Sequence, residues 1–184
     1  MESSNPVRGG RRIRWRHIMY DRILVAVDGS PTADRALDEA IQLAQKLGSE
    51  LVIAHVIDNS YLMYDVGYID VGAFTEALVK QGNQIVADAR AKAEKAGVHV
   101  HSVVVDDPIG TFDIGTAIEQ AAKNVGAQAL VLGTHGRRGF RRLFLGSVAE
   151  SVVRLSTLPV LLVRALPTET PHTATEPLSN AVIA

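Results

Sequence analysis

The chain has 184 residues, 47% of them hydrophobic and 21% charged, which is the size of one domain able to bury its own core. It contains no cysteine, so a disulfide framework and a cysteine-ligated metal centre are excluded and stability must come from packing. The net charge of −1 is uneven: Arg8, Arg11, Arg12, Arg14 and Arg16 stand against the single acid Glu2 in residues 1–18, which leaves the remainder at −5 and without a basic nucleic-acid footprint.

Residues 1–18 lack an apolar period and read as a disordered basic leader, either a plain upstream extension or an arm for nucleic acid or a membrane surface. No apolar h-region with a small-residue cleavage site follows, and no apolar run approaches the roughly 20 residues needed to cross a bilayer. The expectation is a cytoplasmic protein with no membrane or nucleic-acid partner, its domain spanning residues 19–165. Residues 23–27 form the first predicted strand. Ser30 can cap the next helix with Pro31 in its first turn, and Ala36, Leu37, Ala40, Ile41, Ala44 and Leu47 give that helix one apolar face before Gly48 stops it. A second strand is predicted over 50–57, and a helix over 74–95 ended by Gly97. Residues 98–105 alternate His99 and His101 with valines, as a half-covered edge strand does. A third helix over 114–124 precedes Gly126, where a left-handed cap is wanted. A fourth strand over 129–132, a long loop, a helix over 147–155 and a last strand over 160–163, introduced by Pro159, complete the pattern. Residues 166–184, rich in Pro and Thr, read as a flexible C-terminal tail.

Five strands alternating with four helices predict an α/β fold: one domain, a doubly wound five-stranded parallel sheet with helices on both faces. Its ligand crevice should open beyond the carboxyl ends of the strands, where strand order reverses. The most specific local signal lies there. Gly133-Thr134-His135-Gly136 is followed, after nine residues, by Gly146-Ser147. Glycine permits close approach of a phosphate and can take positive φ, and the open N–H groups at the next helix start, aided by the Ser147 hydroxyl, make an anion site. Arg137, Arg138, Arg141 and Arg142 add positive charge. The plainer alternative is a glycine-rich turn with Ser147 as a helix cap and the arginines as a solvated rim. Loop length and position favour the phosphate reading. Neither a Walker A loop nor a G-x-G-x-x-G after the first strand is present.

Together, Ala26-Val27-Asp28-Gly29-Ser30, His55-Val56 and the loop glycines with Ser147 make residues 19–164 resemble the universal stress protein family, in its ATP-binding branch. The resemblance implies a Rossmann-like fold of strand order 3-2-1-4-5 and a homodimer joined through Val160 to Val163. It also implies that Asp28 and Val56 meet the adenosine while Gly133, Gly136, Gly146 and Ser147 hold ribose and phosphates. The full candidate set is Ala26, Val27, Asp28, Val56, Gly133, Thr134, His135, Gly136, Arg137, Arg138, Gly146, Ser147 and Val148, with ATP as ligand and Mg2+ held by its phosphates.

By their own chemistry, Asp28 can accept from a ribose hydroxyl or adenine amine, or it can be an Asx-turn residue before Gly29. Val56 offers backbone rather than side chain, and Ala26 and Val27 are most simply core. A loop histidine such as His135 can touch phosphate when protonated but is more simply a solvated polar group. His99 and His101 share a strand face, but no companion acid stands at a telling spacing, so no protein metal site is expected. Asp106-Asp107 read as a turn before Pro108, because the acid pair and lysine of a receiver-like site are missing. No catalytic residue is assigned. The reading is a dimeric, nucleotide-dependent regulator in stress response; the alternatives are a weak ATP hydrolase or phosphotransferase and a nucleotide-free dimerisation adaptor.

Overall fold

The computed structural model describes residues 20–59, 71–106, 113–136 and 145–164. Within them the chain runs β1 (Arg22–Ala26), α1 (Pro31–Leu47), β2 (Glu50–Val56), α2 (Val71–Lys95), β3 (Val100–Val105), α3 (Ile114–Val125), β4 (Ala129–Gly133), α4 (Ser147–Leu155) and β5 (Val160–Val163). All strand pairs are parallel, and the order β3-β2-β1-β4-β5 is that of the doubly wound sheet expected from the sequence. Differences lie at element ends: β3 begins at Val100 rather than 98, and α2 begins at Val71 rather than 74.

The sheet is buried on both sides because neighbouring strand residues face opposite layers. Ile23, Val25, Leu51, Ile53 and Val131 pack under Ala36, Leu37, Ala40 and Ile41 of α1 and under Ala89 and Ala93 of α2. Leu24, Val52, Leu130 and Leu132 face the other way, onto Ile118 and Ala122 of α3 and Ala149 and Val152 of α4. Leu24, Leu51 and Leu130 are almost wholly out of water, which stabilises the fold by roughly 1.5–3 kcal/mol each. The helix sides of both layers are rich in alanine, so the helix backbones lie close to the sheet.

Local chemistry sets the helix ends. Ser30 caps α1, its hydroxyl accepting from the Ala33 amide at 3.1 Å with Pro31 just inside, and Gly48 closes the helix at φ +70°. Asp113 caps α3 through the amides of Gly115 and Thr116, and Gly126 ends it at φ +66°. α4 starts at Gly146, which has no side chain to cap with. Among the described residues no helix is long and apolar enough to cross a membrane.

Candidate functional site

Strand order reverses between β1 and β4, so the crevice opens at their carboxyl ends. Leaving β1, the Val27 amide still bonds the Ala54 carbonyl at 2.9 Å, and the chain then turns through Asp28 and Gly29, the latter at φ +79°. Asp28 Oδ1 accepts from the Ser30 amide at 2.9 Å, which is the Asx turn that the sequence allowed. Its other oxygen faces β4: a Cβ placed on Gly136 would lie 2.7 Å from Asp28 Oδ2. Gly136 is therefore a glycine of close approach, and it brings the loop start onto the carboxylate.

After β4, Thr134 is tied on both sides, its amide donating to Val163 O and its carbonyl accepting from the Gly146 amide, each at 2.8 Å. This pair closes the long loop at its base and aims the start of α4 at the crevice. The first bond within α4 runs from the Glu150 amide to Gly146 O. Among the described residues the amides of Ser147, Val148 and Ala149 have no acceptor, and no side chain caps them. Ser147 is exposed beside them, Val148 is half-buried, and Ala149 is buried. Such a helix start attracts an anion through its free N–H groups and its dipole. α3 differs: its N-terminus is filled by Asp113. Bonding from the Thr116 hydroxyl holds that carboxyl below its ordinary range; partial burial opposes this, and the Ser151 hydroxyl and the amides of Thr116 and Gly115 reinforce it.

Ala26 and Val56 are half-buried against the α3/α4 layer and Val27 is buried in the other layer, so their side chains serve the core. His135 is not a solvated loop residue. It is half-buried, its Nδ1 sits 3.0 Å from Thr134 Oγ1, and its Nε2 is buried with no hydrogen-bond partner among the described residues. Positive φ, expected to be open to the loop glycines, is not used: Gly133, Gly136 and Gly146 are absent from the left-handed glycines, and Gly146 has φ −65°. They are required for space instead. A Cβ on Gly133 would lie 2.9 Å from Thr32 Cγ2 on α1, and one on Gly146 would lie 3.0 Å from Thr134 O. Gly133 thus serves strand–helix packing. Arg137, Arg138, Arg141 and Arg142, like Asp107 and Pro108, lie outside the described residues. Asp106, at the end of β3, accepts from Asn59 Nδ2 at 2.8 Å.

Sequence reading gave two groups no role of their own. His55, 3% exposed, has Nδ1 2.8 Å from Val27 O, and because a carbonyl only accepts, that nitrogen carries the proton. It braces the backbone just before Asp28, and its ring packs on Gly82, where a Cβ would come within 2.7 Å of Cδ2. At the opposite end of the sheet, Glu50 supplies the companion acid that spacing did not reveal for His99 and His101; the three ligand atoms lie within 4.8 Å of one another. The contact crosses from β2 to β3, so only strand pairing could expose it.

Comparison with known proteins gives one consistent answer. The universal stress protein family matches residues 19–164. The universal stress protein YxiE of Bacillus subtilis is 31% identical over 153 residues, covering 79% of this chain and all of YxiE. The crystal structure of a universal stress protein family member from Burkholderia pseudomallei superposes with a TM-score of 0.66 at 35% identity, over 80% of this chain and 98% of that one. A universal stress protein crystallised in complex with cAMP is 27% identical, with a TM-score of 0.54 over 79% of this chain and 97% of that one.

Proposed function

The chain belongs to the universal stress protein family, and from that premise we propose that it binds ATP or another adenine nucleotide in the crevice between β1 and β4. The observation that carries this reading is the start of α4, where among the described residues three amides have no acceptor, a hydroxyl is adjacent and no side chain caps, facing the reversal point of the sheet. A relative of the same fold crystallised with cAMP supports the adenine class. The residues present fit such a ligand. The amides of Ser147 and Val148 and the Ser147 hydroxyl receive phosphate, and Gly136 and Gly146 keep side chains out of its way. His135, whose Nε2 is buried without a partner among the described residues, offers that atom to the ligand. Asp28 and the backbone of Val56 hold the adenosine, and Arg137 and Arg138 add charge from the loop. Phosphates so held carry Mg2+ when it is present.

Binding rather than turnover is the proposed activity. Phosphoryl transfer needs a group to orient the nucleophile and usually a protein-held metal; among the described residues the crevice carboxylate, Asp28, is the one assigned to the adenosine, and its Oδ1 is bonded by the Ser30 amide. The role that follows is a cytoplasmic dimeric regulator in stress response whose bound nucleotide sets its shape or its choice of partner. Calorimetry with ATP tests the site. The parent chain should bind one equivalent and Gly146→Val none, because a branched side chain fills the space against Thr134 O and over the helix start. ATP affinity equal to the parent's in a Gly146→Val protein that unfolds cooperatively would refute the assignment. Phosphate release by the parent above that of the same variant would move the reading to a hydrolase.

A further inference from the structure

Glu50 opens β2 and His99 stands just before β3, and the two are neighbours across the sheet because the Leu51 amide donates to His99 O at 2.9 Å. His101, two residues on, projects from the same face of this edge strand. We propose that Glu50, His99 and His101 form a binding site for a divalent transition-metal ion of the Zn2+ class, with two imidazoles and one carboxylate as ligands and a fourth position open to solvent.

The geometry is close to what such an ion needs. Glu50 Oε1 lies 2.6 Å from His101 Nε2 and 3.7 Å from His99 Nδ1. Ligands of a four-coordinate ion with bonds of 2.0–2.1 Å stand about 3.3 Å apart, so binding requires the shorter pair to open by under about 1 Å and the wider pairs, all within 4.8 Å, to draw in. The exposed imidazoles, their side chains 78% and 63% accessible, are free to make that adjustment. Glu50 is the fixed member. It is 18% accessible, and its Oε2 accepts from both Nε and Nη2 of Arg22 at 2.7 Å, while Arg22 Nη1 donates to the Val125 carbonyl. The guanidinium therefore orients the carboxylate from behind and leaves Oε1 turned to the histidines, the arrangement by which outer groups position a metal ligand. Nitrogen and single-oxygen donors select Zn2+, Ni2+ or Cu2+ over Mg2+ and Ca2+, which want more oxygens. A plain surface ion pair would use one imidazole; the second, in edge contact with the first at 5.2 Å between ring centres, makes the site a chelate.

The site lies at the amino ends of the strands, whereas the crevice lies at their carboxyl ends, so the two proposals stand or fall separately. Titration of the full chain with Co2+, read by its visible absorption and reversed by Zn2+, tests this one. One equivalent should bind with the intensity of a low-coordinate nitrogen and oxygen site, and His99→Ala, His101→Ala and Glu50→Gln should each weaken binding by at least about tenfold while ATP affinity holds. Should Glu50→Gln lose its fold with the Arg22 contact, the exposed histidine variants carry the test. Absence of Co2+ binding by the parent at submillimolar metal, or equal binding by the parent and both histidine variants, would overturn the assignment.

Discussion

At the scale of single residues, the loop works by leaving room. Gly136 and Gly146 hold ordinary backbone geometry, and each is a glycine because an added Cβ would meet Asp28 Oδ2 at 2.7 Å or Thr134 O at 3.0 Å. Substitutions should therefore rank by the space they fill. Gly146→Val should abolish ATP binding. Ser147→Ala removes one neutral hydroxyl but leaves the backbone amides, and should cost about 0.5–2 kcal/mol, roughly two- to thirtyfold in affinity. Arg138→Ala removes a loop charge and should have the smallest effect, shrinking further as salt is raised. Calorimetry on variants with cooperative melts checks the order, and a loss for Arg138→Ala exceeding that for Ser147→Ala would assign recognition to charge instead of the helix start. Asp28, within Asp28-Gly29-Ser30, and the loop glycines, within Gly133 to Ser147, were legible because each set is a local motif of the sequence. The reason glycine is needed at each was not, since the obstructing atoms belong to Thr134, Thr32 and Asp28 itself across the crevice.

At the scale of elements, α3 and α4 are locked by one carboxylate. Asp113 caps α3 and accepts from Ser151 Oγ on α4 at 2.9 Å, and a Cβ on Gly115 would come within 2.5 Å of the Ser151 side chain. The α3 backbone at Gly115 therefore lies against the Ser151 side chain, one turn into α4. Asp113→Ala should destabilise the fold by about 1 kcal/mol at neutral pH, measured by urea unfolding. The pH dependence has a definite sign. The folded carboxyl is held below its usual 3.8, so its contribution is complete above that value and is lost as pH falls through the lower folded value. The gap between parent and Asp113→Ala should accordingly narrow in acid; a gap that stays constant from pH 7 to pH 3 would contradict the bonding described. Gly115→Ala should lower the melting temperature and, by pushing α4 outward, weaken ATP binding as well. A variant with parental melting and affinity would show that Ser151 gives way without moving the helix.

At the scale of the whole molecule, β5 is an outer strand: it pairs with β4, and among the described residues no strand covers its other side. Leu161 is 44% exposed, and an apolar edge of this kind invites a partner strand. We expect a homodimer through antiparallel pairing of Val160 to Val163 with its copy, which Leu161→Lys or Leu162→Pro should shift toward monomer in light scattering; a parent that is monomeric at tens of micromolar would exclude it. Removal of residues 1–18 should leave melting and ATP affinity unchanged, since the segment carries no core pattern, and a drop of several degrees would make it part of the domain. The sequence by itself determined the alternation of elements, the two apolar layers, the caps at Ser30, Gly48 and Gly126, and the loop that holds the candidate phosphate site. All of these are written in local periodicity and turn chemistry, where neighbours in the chain are neighbours in space. Only the tertiary structure decided that Gly133 packs on Thr32, that His55 braces Val27, that Asp113 spans two helices and that Glu50 meets His99 and His101. Those contacts join residues 28 to 101 positions apart, brought together by crossovers and parallel strand pairing, and no spacing along the chain encodes them.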